Sequence, residues 1–462
     1  MRVIVPDNYP DIPTAINSVP PEEFAEVFVR AGRYVLNPTP KWPPNQIIVR
    51  PNLYLHGEGI DKTIIEFTPA DASPIRADVI CNIPYTEIGK TTKDIYNWTL
   101  EDLTVNQYAT PDNKGSSLIC LRSGSHSGIT FRRVKALNAF GAGLAPSNST
   151  NVTVEDCIVD KVWTGINLAN VSFADVRRNT VTNVSGDAIF PQGTCKAVNI
   201  EYNTIEVVGD VAIDVTGASG QPPHQAVKVR HNRIKYGGMR ISNAVDTEII
   251  DNSIEYGSIS IDAGAGRPVN TLLEDNRILS SRKVGLGCYG AEKVTARRNR
   301  IIMTTPEAGV VQSGLVAAVW GTGLFEENEI NGGDYGIDFG GWALSGGSDI
   351  TFTGNKIFDF RNVGIYDNAK NQGPIKILEN QIWTEKTTAR WGILTDYEAN
   401  PWIITHNALK VRNLLGNDAI HAPGSTLTDN YAYTPKPPIR IPIVLAPIIF
   451  GGILISWVRY HR

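Results

Sequence analysis

The sequence predicts an all-β solenoid of short strands, and three observations carry that prediction. An asparagine, any residue and then an apolar residue recur eleven times, starting at Asn179, Asn203, Asn232, Asn252, Asn276, Asn299, Asn328, Asn355, Asn380, Asn407 and, more loosely, Asn430, at intervals of 20 to 29 residues. A fixed period in that range is the mark of stacked coils. A second beat, a small residue followed by an aliphatic one, falls between the asparagines at Gly165-Ile166, Ala188-Ile189, Ala212-Ile213, Gly285-Leu286, Gly336-Ile337, Gly364-Ile365, Gly392-Ile393 and Ala419-Ile420. Two beats per period mean two or three strands per coil. Between turn residues the chain alternates polar and apolar with β-branched side chains, as in Asn151-Val-Thr-Val-Glu, Ala226-Val-Lys-Val-Arg and Asp349-Ile-Thr-Phe-Thr. That is the period of a strand, and no stretch keeps an apolar stripe at helical spacing for three turns.

Residues 1–70 are expected to hold the start of the stack. Asp11-Ile-Pro-Thr-Ala-Ile-Asn-Ser-Val reads as a short helix, capped by Asp11 and carrying Ile12, Ala15, Ile16 and Val19 on one face. Strands follow at Glu26-Val-Phe-Val-Arg, Gln46-Ile-Ile-Val and Thr63-Ile-Ile. The first rung of an open stack exposes unpaired strand edges, so the helix is expected to serve as its lid. Residues 71–432 form the coils, with loops budding near 84–93 and 107–117. The asparagines are read as a structural corner rather than a catalytic row. Asparagine tolerates the left-handed conformation of a tight turn, and each amide reaches the one a rung away, about 4.8 Å distant.

Residues 433–440 make a proline-stiffened linker, and 441–458 are eighteen residues without a charge, followed by a short basic tail at 459–462. Basic residues flank that run on both sides, and Trp457 and Tyr460 sit where an interfacial belt would lie. The run is long enough for a membrane span despite its prolines and glycines. The expected localisation is therefore a membrane-anchored protein with its ectodomain at a cell or virion surface.

Composition narrows the partners. The chain has 462 residues, 42 glycines and a net charge of −4, with no basic field to engage nucleic acid. Cys81, Cys120, Cys157, Cys195 and Cys288 lack metal-ligand spacing and read as small apolar fillers of the stack, with a disulfide between neighbouring coils as the alternative. Asn-x-Ser/Thr sequons at Asn97, Asn148, Asn151, Asn170 and Asn183 would be glycosylation acceptors in an exterior compartment.

The run from Tyr9-Pro-Asp-Ile through Ala15-Ile16, Val29-Arg-Ala-Gly-Arg-Tyr34, Leu53-Tyr-Leu-His-Gly-Glu-Gly59 and Thr63-Ile-Ile65, with the repeats downstream, resembles right-handed parallel β-helix proteins of the pectin-lyase-like superfamily. The resemblance covers residues 1 to about 432 and implies that fold. It leaves the chemistry open, because the superfamily spans lyases, hydrolases, epimerases, tailspikes and non-catalytic surface proteins.

Cleaving a glycan on such a scaffold takes carboxylates, or a carboxylate with Lys or Arg, converging on one outer face. Local patterns of the polygalacturonase type are incomplete. Arg233-Ile-Lys235 is the variable part of a repeat, Ser185-Gly-Asp-Ala-Ile189 offers a single aspartate, and neither an Asn-Thr-Asp nor a Gly-His-Gly element is present. No catalytic residue is carried over from the resemblance. From the residues alone, Asp214, Asp262 and Asp338 each follow the isoleucine of a strand, so alternation points them outward. Asp338, Asp367 and Asp396, from successive coils, are the catalytic candidates. Trp342, Tyr366, Trp383, Trp391, Tyr397 and Trp402 cluster in the last coils and are candidates to stack on sugars, with ordinary packing as the competing account.

The leading expectation is a membrane-anchored surface β-helix for recognition of a polysaccharide or glycoprotein, or for structural display, alone or as an oligomer or assembly with other surface proteins. The lipid bilayer is the second expected partner, and nucleic acid is not expected. The alternatives are a lyase or glycoside hydrolase acting on an acidic polysaccharide, and a stalk without a ligand. No metal or cofactor is expected, except calcium in the case of a lyase. Pectate, polygalacturonate and alginate are not expected to be cleaved.

Overall fold

The computed structural model describes residues 1–36, 46–67, 78–83, 91–107, 117–206, 208–280, 282–304, 309–339, 349–367, 374–395 and 402–433. Away from the ends of the stack, each described coil contributes a strand to each of three parallel sheets. One stretch of the first sheet stacks Lys196–Glu201, His224–Arg230, Ala244–Ile250 and Val269–Glu274. The matching second-sheet strands are Thr204–Ile205, Arg233–Tyr236, Ser253–Tyr256 and Arg277–Ser280. The third sheet stacks Ile213–Thr216, Met239–Ser242 and Ile259–Asp262, and continues into Val284–Arg297, which runs on round the corner into the first sheet. Among the described strands, only Ala408–Val411 with Leu414–Leu415 pairs antiparallel.

The repeated phrase now has a physical meaning. Its third residue stacks in one interior column on the second sheet, Ile205, Ile234, Ile254, Ile278, Ile301, Ile330, Ile357, Ile382 and Leu409. Every member is at most 1% exposed, and each contributes about 1.5–3 kcal/mol by burial. The middle residue turns outward and varies, and it is buried only at Ala408 among these repeats.

The asparagines form a continuous hydrogen-bonded ladder at the corner between the first and second sheets. Asn276 shows the unit: its Nδ2 donates to Ile249 O at 2.8 Å and to Asn299 Oδ1 at 2.9 Å, while its Oδ1 accepts from Asn252 N at 3.1 Å and Asn252 Nδ2 at 3.0 Å. The left-handed residue, however, is the one before each asparagine: Arg178, Tyr202, His231, Asp251, Asp275, Arg298, Glu327, Glu379, His406 and Asp429 have φ between 51° and 58°. Asparagine holds this corner through its amide, not through its backbone tolerance. Cys157 takes the ladder position one coil earlier, donating its backbone N–H to Asn179 Oδ1 at 3.0 Å. All five cysteines are free and buried, so the interdisulfide alternative is set aside. The five sequon asparagines do adopt the left-handed conformation, with φ between 49° and 55°.

A six-residue helix, Ile12–Asn17, follows the first strand. Asp11 accepts from Thr14 N at 2.7 Å, and Ile12, Ala15 and Ile16 are buried. No helix among the described residues is long and apolar enough to cross a membrane. The linker beyond Tyr433 and the apolar run 441–458 lie outside the described residues.

Candidate active site on the third sheet

Because the rungs are in register, outward side chains of the third sheet line up in columns. One column runs Asp214, Arg240, Ser260, Gly287, Val316, Asp338, Tyr366, Leu394. At its lower end a carboxylate group gathers around a single guanidinium. Asp214 faces outward yet is only 6% exposed. Burial lifts its carboxyl to about 6 against the Thr216 hydroxyl that donates to it, with the charges of Asp187 and Asp210 adding to the lift and Arg240 opposing it. Asp187 sits on the rung below, where burial raises its carboxyl against the Val211 N–H that donates to Oδ1 at 3.2 Å. Arg240, on the rung above Asp214, donates its Nε to Asp262 Oδ2 at 3.2 Å, and Asp262 Oδ1 accepts from Gly264 N at 2.9 Å.

Burial thus holds the Asp214 carboxyl at about 6 and raises that of Asp187 beside it. That is the electrostatic requirement of general acid–base chemistry. Among the described residues no three His, Cys, Asp or Glu side chains are arranged to hold a metal ion.

Asp338 forms a second, separate centre five rungs up the same column. Burial lifts it to about 6 against the Ser313 hydroxyl and Lys283, and its Oδ1 is buried with no hydrogen-bond partner among the described residues. Ser313 Oγ donates to Oδ2 at 3.2 Å. At about 4.8 Å per rung, Asp338 is roughly 24 Å from Asp214, too far for the two to work on one bond. Between them Tyr289 lies flat over Gly287, where an added Cβ would come within 2.3 Å of the ring. Burial pushes the Tyr289 phenol up to about 12, so it stays protonated.

The other predicted residues are scattered by the fold. Asp367 follows Tyr366 by one residue and therefore faces inward, fully buried, where Thr395 Oγ1 donates to it at 3.4 Å. Asp338 and Asp367 are thus on opposite sides of one sheet, and Asp396 lies outside the described residues. Trp402 is fully buried in the interior, 5.1 Å from Phe339, so it cannot stack on an external ligand. Trp383 is on the second sheet, 6.4 Å from Phe358. Tyr366 is on the third, stacked on Tyr335 at 4.7 Å, and Trp391 packs against His421 at 5.2 Å. Trp342 and Tyr397 lie outside the described residues. The described aromatics therefore do not form a single groove.

Arg240 and Asp187 were not singled out by sequence reasoning, although Asp187 stood in plain view in Ser185-Gly-Asp-Ala-Ile189. The missing signal was register: Asp187 and Asp214 become neighbours only once Ile189 is known to pair with Ile213.

The family model described as a right handed beta helix region matches residues 96–234. Match and rung register agree on the class of fold, a right-handed parallel β-helix. No curated protein matches its sequence. Similar solved structures include the A-module of the mannuronan C-5 epimerase AlgE4 of Azotobacter vinelandii, 14% identical, covering 82% of this chain and 94% of that one at a TM-score of 0.48. DFA-IIIase of Arthrobacter chlorophenolicus is 10% identical over 66% of this chain and 83% of that one, TM-score 0.45. The catalytic unit of the GH87 alpha-1,3-glucanase of Streptomyces thermodiastaticus is 15% identical over 86% of this chain and 65% of that one, TM-score 0.38. None of these likenesses transfers a residue or an activity.

Proposed function

We propose that this protein is a glycoside hydrolase acting on an extended polysaccharide laid along the outer face of the third sheet. The observation that carries the reading is a pair of carboxyls on adjacent rungs, Asp214 lifted to about 6 and Asp187 held by a backbone N–H, beside the Arg240–Asp262 pair. In the proposed step Asp214 gives its proton to the glycosidic oxygen as the C–O bond breaks. Asp187 takes a proton from the water whose oxygen bonds to the anomeric carbon. Arg240 limits the negative charge that gathers once Asp214 has ionised. The site carries more carboxylates than guanidinium groups, which repels an anionic polymer and favours a neutral glycan. This puts the glycoside-hydrolase alternative ahead of surface recognition, with a neutral polysaccharide in place of the acidic one expected from the sequence.

The uncharged run 441–458 between basic flanks supports tethering of the enzyme to a membrane. The buried face of the helix Ile12–Asn17, packed beside Arg2–Val5 and Ala25–Val29, supports its role as a lid on the first rung.

Purified protein incubated with neutral and acidic polysaccharides should release reducing ends from a neutral one, with kcat/KM falling as pH rises through about 6. Asp214→Asn should cost at least about 100-fold, and Asp338→Asn should leave the rate within about twofold, since Asp338 is a separate centre. Loss in Asp338→Asn with Asp214→Asn unaffected would refute the assignment. Unsaturated product from pectate or alginate would restore the lyase alternative.

A further inference from the structure

Trp163 stands where the strand Ile158–Ala169 passes from the second sheet to the third, 51% exposed. From below, Phe140 stacks on it with ring centroids 5.8 Å apart and planes 22° from parallel. From above, the next rung places Gly186 over it: the Gly186 N–H donates to Trp163 O at 2.8 Å, and a Cβ there would fall 3.3 Å from the indole Nε1. Any larger residue at 186 would crowd the indole, and the residue after Gly186 is Asp187. Phe140 thus supports one face of the ring, the glycine on the rung above sets no side chain over the other, and half the surface stays in solvent one residue away in the chain from Asp187 on that rung.

We infer that Trp163 is a stacking platform for a sugar ring, forming a binding subsite next to the Asp187–Asp214 centre. The inference rests on the proposed hydrolase reading and assigns the chemistry of its neighbouring subsite. An exposed apolar ring supported on one face is matched by the C–H face of a pyranose or furanose, while nearby polar groups meet its hydroxyls. Two features favour a sugar over a protein partner. The exposed apolar surface here is one ring supported by one other, well short of a protein-binding patch. Its rung neighbour Gly186 also leads directly into Asp187, whose carboxyl suits hydroxyls better than an apolar partner. The phenols of Tyr236 and Tyr256, stacked at 5.1 Å, share the exposure but stand on the second sheet, away from the candidate site on the third.

The test uses the full chain in detergent, in an Asp214→Asn background that binds without turning over. Native gels are cast with a soluble α-glucan, a soluble β-glucan or a fructan. At least one polymer should retard the protein, Trp163→Ala should weaken that retardation at least tenfold in apparent Kd, and Trp163→Phe should stay within about threefold because it keeps a ring. A thermal melt confirms that the half-exposed site tolerates both changes. Unchanged retardation in Trp163→Ala, or no retardation by any of the three polymers, overturns the subsite. Release of reducing ends by wild type with an unchanged KM in Trp163→Ala would leave the hydrolase standing and remove the subsite. Retardation that depends on Trp163 with no release by wild type would do the reverse.

Discussion

A buried polar side chain is tolerated when each of its hydrogen-bonding groups has a partner, and the ladder asparagines meet that condition rung after rung. Asn276 is fully buried, and its amide makes two donations and two acceptances. Replacing it with leucine removes the partners of Ile249 O and of the Asn252 amide at once. We expect Asn276→Leu to lower unfolding stability by on the order of 3 kcal/mol, measured by denaturant titration; a change under 0.5 kcal/mol would show that the ladder is dispensable. This much was legible from spacing alone, since an asparagine recurring at every coil has few other uses. The left-handed residue was not, because the backbone angle shifts to the preceding position, whose identity varies from Arg178 to Glu379.

Strands next to the ladder carry a charge alternation that no single repeat reveals. Along one outward column of the first sheet, Arg132, Glu155, Arg177, Glu201 and Arg230 follow one another on successive rungs. Glu155, 7% exposed in its side chain, accepts from Arg132 Nε at 2.6 Å, Arg177 Nε at 2.8 Å and Arg178 Nη2 at 2.9 Å. Burial alone would raise its carboxyl, but the hydrogen bonds from Arg132 and Arg177 outweigh burial and hold it at about 2. Since the folded value lies below the unfolded one, the stability it contributes is present above about pH 4.5 and is lost as pH falls toward 2. Its partners are nearly half exposed, so the contribution is roughly 1–2 kcal/mol after screening. Glu155→Gln should therefore be less stable than wild type at pH 7, with the gap closing between pH 4.5 and pH 2. A gap that stays constant over that range would mean the loss is one of packing rather than charge. A pairing that alternates in sign also resists slippage by one rung, which would set like charges face to face.

For the whole molecule, stacking makes a long face whose two ends are chemically different. The carboxyl group around Asp214 and the separate Asp338 centre share a column yet are independent in reach. The proposed tethering would add a direction to that body. The full chain should partition into the detergent phase, while a chain truncated after Thr434 should remain in the aqueous phase; equal partitioning would show that the run 441–458 does not anchor the protein.

The sequence by itself determined the class of fold, the interior isoleucine column and the asparagine corner, because each depends on a local period that survives in every coil. It also placed Asp214, Asp262 and Asp338 outward, since alternation along one strand needs no partner. Only the tertiary structure decided which side chains meet. Asp187 and Asp214 are 27 residues apart in the chain, and coils of unequal length carry no mark of how they align until interior residues such as Ile189 and Ile213 stack. The same alternation that turns Asp338 outward turns Asp367 inward, one position further along its strand. The described late aromatics, close in sequence, are divided among the interior and two sheets, whereas Trp163 meets Gly186, the residue before Asp187, only through rung stacking. A site on a solenoid is assembled across rungs, and register between rungs is set by core packing rather than by neighbours in the chain.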